Sequence, residues 1–119
     1  MELILVGYWS DDKGRWPDPG EFVDTTWDDQ ERDMVSQYIG AGTIARTFMG
    51  YSACRICGAL NGDLEYTDGT YIWPQGLRHY VDQHSVRLPA EFVRHAIGRL
   101  DEIETANVDS SWWSAATIR

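Results

Sequence analysis

The stretch that decides the fold runs from residue 54 to residue 84. It reads Cys54-Arg-Ile-Cys57-Gly58, then Asn61-Gly62, Leu64-Glu-Tyr66, Asp68-Gly69, Thr70-Tyr-Ile-Trp73-Pro74 and Leu77-Arg-His79-Tyr-Val-Asp-Gln-His84. It holds both cysteines of the chain and two of its three histidines. The order is C-x2-C, two turn signals, then H-x4-H, with 21 residues between Cys57 and His79. A tetrahedral zinc takes four sulfur or nitrogen donors. A tight C-x-x-C turn presents two thiolates to one side of such an ion, and a helix supplies the opposite two. Gly58 gives the turn freedom to offer backbone amides to the thiolate charge. The spacer exceeds the roughly 12–15 residues of the short finger pattern. Asn61-Gly62 and Asp68-Gly69 account for the excess, because both are strong turn signals that fold it into a returning hairpin.

The metal set predicted is therefore Cys54, Cys57, His79 and His84, with Zn as the cofactor. Positions 79 and 84 lie about 140° apart on an ideal helix, so the helix is expected to tighten or end between them. Two other readings stand beside zinc. A C-x-x-C can be a redox pair, usually opening a helix after a strand, and Gly58 and Asn61-Gly62 oppose a helix there. The two cysteines can also be unligated. His95 is a spare candidate, read as structural or surface.

Outward from this segment the patterning is mixed. Leu3-Ile-Leu-Val6 reads as a buried strand, extended by Tyr8 and Trp9. Ser10 to Gly14 is turn chemistry, and the two prolines of Trp16-Pro-Asp-Pro-Gly20 forbid regular structure there. Thr25 or Thr26 can cap a helix with Asp28 or Asp29 three residues on. Trp27, Met34, Val35, Tyr38 and Ile39 share one face of it, and Gly40 and Gly42 end it. Thr43 to Tyr51 reads as a strand. Leu77, Tyr80, Val81 and His84 share a helical face. Pro89 sits in the first turn of a last helix whose stripe is Phe92, Val93, Ala96, Ile97, Leu100 and Ile103. Asn107 to Arg119 is weakly patterned apart from Trp112-Trp113.

The fold class expected is α+β: one small domain with a zinc-stapled β-hairpin–helix, C2H2-like unit, an N-terminal strand–helix and a C-terminal helix. Its parts are an acidic strand–helix part (1–42), a zinc-binding ββα part (43–98) and a helix end and tail (99–119).

Composition sets the outer bounds. A chain of 119 residues, 43% hydrophobic and 24% charged, suits one domain with a modest core. The longest apolar run, Leu3 to Val6, is far short of a membrane span, and the N-terminus lacks a signal-peptide pattern. The expectation is a soluble, cytoplasmic protein. Net charge is −9, and it is uneven: residues 1–53 hold 10 acids against 4 bases, residues 54–100 hold 5 of each, and residues 101–119 hold 4 against 1. Such acidity opposes binding to phosphate backbones, so nucleic acid is not the expected partner. It suits solubility, or contact with a basic protein.

The wording from Cys54-Arg-Ile-Cys-Gly58 through Thr67-Asp-Gly-Thr-Tyr-Ile-Trp-Pro74, Gly76-Leu-Arg-His-Tyr-Val81 and His84 to Val86-Arg-Leu-Pro89 and Glu91-Phe92 resembles a group of small uncharacterised bacterial proteins. Trp16-Pro-Asp-Pro19 also fits the pattern, which covers about half the chain. The resemblance implies a bacterial cytoplasmic protein with a zinc site and brings no activity with it.

Two Cys and two His fill a zinc shell, which favours a structural ion and predicts that chelation unfolds residues 43–98. The chain lacks the motifs of zinc deaminases, zinc metalloproteases, P-loop proteins and α/β-hydrolases. No catalytic residue is assigned; Asp82 and Glu65 are the nearest acid–base candidates if the site is open. The expected function is a non-catalytic, immunity- or regulator-like module for a protein partner. The alternatives are a metal-dependent hydrolase, for which Asp82-Gln-His84 faintly echoes a His–Asn–His nuclease, and a zinc-finger-like nucleic-acid binder using Arg55, Arg78, Arg87, Arg94 and Arg99. Trp9, Trp27 and Trp73 are expected in the core. Trp16, Trp112 and Trp113 are expected to cover the zinc module or form a contact surface.

Overall fold

The computed structural model describes residues 1–10, 14–47 and 50–118. Four strands form one sheet: β1 (Ile4–Leu5), β2 (Thr43–Thr47), β3 (Leu64–Thr67) and β4 (Tyr71–Pro74), in the order β1-β4-β3-β2. Four helices accompany it: α1 (Asp29–Gly40), α2 (Leu77–His84), α3 (Ala90–Glu104) and a single turn, α4 (Ser111–Ser114). The class is mixed α+β in one small domain. The sheet joins the parts that the sequence separates, because β1 pairs in parallel with β4, Ile4 opposite Tyr71 and Leu5 opposite Ile72.

The β3–β4 hairpin forms as Asp68-Gly69 predicts. The Asp68 carboxylate accepts the Thr70 and Tyr71 amides, and Gly69 takes a positive φ of 93°. β4 ends at Pro74, which pairs with Glu65. As an inner strand, β4 buries Tyr71, Ile72 and Trp73. Trp73 is the centre of the core. Its ring lies 5.9 Å from Phe92 and 6.2 Å from Tyr38, and its indole N–H donates to the Ile39 carbonyl at 2.9 Å. Next to it, Gly42 is required by close approach: a Cβ there would stand 2.8 Å from the Tyr66 Cβ and 2.9 Å from the Trp73 ring.

Several local expectations change. β1 is not a buried strand: it is a two-residue edge strand with Ile4 and Leu5 substantially exposed, and only Val6 of that run enters the core. An edge strand has a strand neighbour on one side only. The cap of α1 is Asp28, whose carboxylate accepts the Glu31 amide; Thr26 instead bonds to Asp24. A carboxylate at the cap is favoured further by the positive end of the helix dipole. Trp27 is buried but precedes the helix, and Ser36 joins Val35 and Ile39 on the buried face. The Pro17–Pro19 region is not irregular throughout, since Pro19–Phe22 makes one 3-10 turn that Asp18 caps. Proline's fixed φ suits a first helical position. β2 ends at Thr47, short of Tyr51; residues 48 and 49 of that expected strand, like 11–13 of the expected turn, lie outside the described residues.

Pro89 caps α3 from outside its first turn. Phe92, Val93 and Ala96 are buried as the stripe predicts, but Ile103 is 64% exposed because α3 has by then run past the body of the protein. Among the expected core tryptophans, Trp27 and Trp73 are buried, and Trp9 packs half-buried against the cluster. Trp112 and Trp113 are exposed, so they do not cover the cysteine–histidine region.

Candidate metal centre

The chain before β3 folds into a small knuckle. Ala53 and Leu60 form an antiparallel bridge, the Cys54 amide donates to the Ala59 carbonyl at 2.8 Å, and the Gly58 amide donates to the Cys54 carbonyl at 2.8 Å. The chain can reverse this tightly because Gly58 adopts φ 77°, which a side chain would oppose. The Ile56 amide points at the Cys54 sulfur at 3.4 Å. Burial opposes the Cys54 thiolate, but the amides of Cys57 and Ile56, with the Cys57 thiol and the Tyr80 hydroxyl, outweigh it and hold the thiol below its ordinary pKa. The amides that favour the thiolate therefore lie between the cysteines and at the second one, not after it as the sequence suggested. Gly58 acts on the turn itself.

The knuckle is tied to α2. Tyr80 accepts the Arg55 amide on its hydroxyl at 2.8 Å while its ring packs 5.7 Å from Trp9. Asn61 rests on Gly76, where any Cβ would come within 2.3 Å of its side chain. Gln75 accepts the Asp63 and Leu64 amides. Sequence reasoning placed Tyr80 on the apolar face of α2 and missed this second role, and it gave Gln75 none. The i, i+4 spacing of Tyr80 and His84 was the available signal.

Through this docking Cys54, Cys57, His79 and His84 come together, with one ligand atom from each lying within 4.8 Å of all the others. Cys57 Sγ is 3.3 Å from His79 Nε2, and the two imidazole rings are 5.0 Å apart. The helix neither tightens nor ends between the histidines. It runs to His84, and the Ser85 amide then reaches back five residues to the Tyr80 carbonyl, with Ser85 itself left-handed at φ 50°. A closure over five residues is wider than the α-helical four. The cysteines, moreover, stand on their own knuckle ahead of the β3–β4 hairpin, so the hairpin is the spacer rather than the ligand carrier.

Two features bear on what the cluster can bind. Among the described residues His84 Nε2 is buried with no hydrogen-bond partner, a state that costs about 1–3 kcal/mol unless something binds it. Burial, with the neighbouring His84 and against the opposing Asp82, lowers the pKa of His79 and keeps its lone pair available. The arrangement fits a cation that accepts two sulfurs and two nitrogens. His95 is not part of it: its ring nitrogen lies 2.8 Å from the Asp68 carboxylate, which Tyr38 also binds.

The carboxylates nominated for acid–base work are committed elsewhere. Asp82 faces Arg78 at 3.6 Å, and buried Glu65 is held by the Tyr8 hydroxyl and by Arg46 at 2.9 Å. The five arginines considered as a patch are also divided: Arg78, Arg87 and Arg99 pair with Asp82, Asp24 and Glu102. Among the described residues no helix is long and apolar enough to cross a membrane. No family model, curated protein or solved structure matches the chain.

Proposed function

We propose that this chain is a small zinc-binding protein whose ion is structural, and that it acts as a non-catalytic module for a protein partner. The observation that carries the reading is the convergence of exactly two thiols and two imidazoles, one with an orphaned buried nitrogen. A tetrahedral zinc, with bonds of about 2.3 Å to sulfur and 2.0–2.1 Å to nitrogen, separates its donors by roughly 3.3–3.8 Å. The Cys57–His79 spacing of 3.3 Å already falls at that scale. Four protein donors leave no position for a reacting water, and the nearby carboxylates are engaged in ion pairs. The zinc staples the knuckle to α2, and so the segment before β3 to the helical layer.

The acidity supports a basic partner: Asp18, Glu21, Asp28, Asp29 and Asp33 are all exposed on the 3-10 turn and α1. An excess of one sign of charge steers an oppositely charged protein.

The test has two parts. Elemental analysis of purified protein is expected to give one zinc per chain, and cobalt substitution to give the intense visible bands of a tetrahedral thiolate site. A metal-free, fully folded protein overturns the zinc reading. Exchange of the exposed acids of α1 for lysine is expected to abolish capture of basic protein ligands; unchanged capture overturns the partner reading.

A further inference from the structure

A second surface is independent of the metal. Met34, Val93, Ile97 and Leu100 floor a groove of about 660 Å³ between α1 and α3, with Arg94 and Asp101 on its edges. Among the described residues neither Arg94 nor Asp101 has an ion-pair or side-chain hydrogen-bond partner, although Arg87 and Arg99 on either side of Arg94 both do. The two are seven residues apart, two helical turns, and so share a face. Between them lies Gly98, inside the helix, where a Cβ would meet nothing. Glycine destabilises a helix interior, and nothing within the single chain requires it at this position.

From these features we infer that the groove is occupied by a second copy of this chain, with the two α3 helices antiparallel about a twofold axis between Ile97 and Gly98. A twofold contact presents the same patch from both sides. In that arrangement Arg94 of each copy faces Asp101 of the other, so one unsatisfied pair on the monomer becomes two ion pairs in the dimer. A parallel arrangement would set like charge against like. Gly98 lets the helix backbones approach, and the apolar floor meets its own image. Glu31, Arg87 and Glu104 line the groove as well, and this mixture of signs suits a copy of the chain better than a uniformly charged ligand.

The shape agrees. The molecule measures 57 × 35 × 25 Å, and the end of α3 with the residues after it, 101–118, forms an exposed arm. That arm leaves Ile103, Val108, Trp112 and Trp113 exposed. In the antiparallel pair it continues over the start of the α3 helix of the other copy and adds apolar area toward the roughly 800 Å² per partner that stable association needs.

Sedimentation equilibrium tests the arrangement. From about 1 to 100 µM, the wild-type protein is expected to approach twice its chain mass of 13.6 kDa. Arg94→Asp and Asp101→Arg, each made on an exposed side chain without a partner, are each expected to weaken the dimer at least about tenfold. Mixed one to one, the two variants are expected to form a heterodimer, because both contacts are then again of opposite sign. Thermal melts of dilute variants confirm that each remains folded. A wild type that is monomeric throughout, single reversals that leave the mass unchanged, or a mixture that fails to associate overturns the inference. So does a monomer whose groove resonances respond only to an added basic peptide.

Discussion

The knuckle end and the α3 arm are opposites. At the knuckle, backbone amides, the Tyr80 hydroxyl and a Cys2His2 set all point inward over a few ångströms. Along the arm, apolar side chains from Ile103 to Trp113 point outward. The knuckle gathers four donors that fit a metal ion; the arm spreads apolar area into solvent.

That contrast can be broken most severely by removing the ion. Exhaustive chelation, or Cys54→Ser, is expected to unfold residues 43–98, since structural zinc contributes on the order of 10 kcal/mol at neutral pH, as much as a small domain's whole stability. Amide spectra before and after chelation check this, and an unchanged spectrum would show that the knuckle holds without metal. Next in size is Trp73→Ala, expected to cost about 3–5 kcal/mol in denaturant melts, because it empties the core and leaves the Ile39 carbonyl without its donor.

Asp68 gives an intermediate effect with a pH signature. Its partly buried carboxylate resists the cost of burial by accepting bonds from Tyr38, the Tyr71 and Thr70 amides and His95, and its pKa is lowered. A lowered carboxylate pKa means stability that is full above the ordinary value near 3.9 and is lost as pH falls through the native value. Asp68→Asn is therefore expected to be about 1–3 kcal/mol less stable at pH 7, with the gap to wild type closing below about pH 4. A gap independent of pH would refute this. Smallest of all, truncation after Thr105 is expected to change the unfolding of dilute, monomeric protein by less than about 0.5 kcal/mol. A larger loss in calorimetry would mean that the arm packs on its own body.

How legible each end is from sequence follows from the same contrast. The convergence of Cys54, Cys57, His79 and His84 could be read because residue identity carries the chemistry: two cysteines and two histidines in that order have few other uses. The hairpin was readable from Asp68-Gly69. That α2 runs through both histidines and closes on Tyr80 was not, because the acceptor of the Ser85 amide is chosen by packing rather than by local pattern. The same holds for Asp28, which competes with Thr25, Thr26 and Asp29 for one cap, and for Ile103, whose spacing continues a stripe after the core beneath it has ended. Ile4 and Leu5 were misread because an apolar run does not tell an inner strand from an edge.

The parallel pairing of β1 with β4 also bears on the folding rate. Ile4 pairs with Tyr71, 67 positions later, so the sheet is completed only by closing a long loop. A closure of that length slows folding.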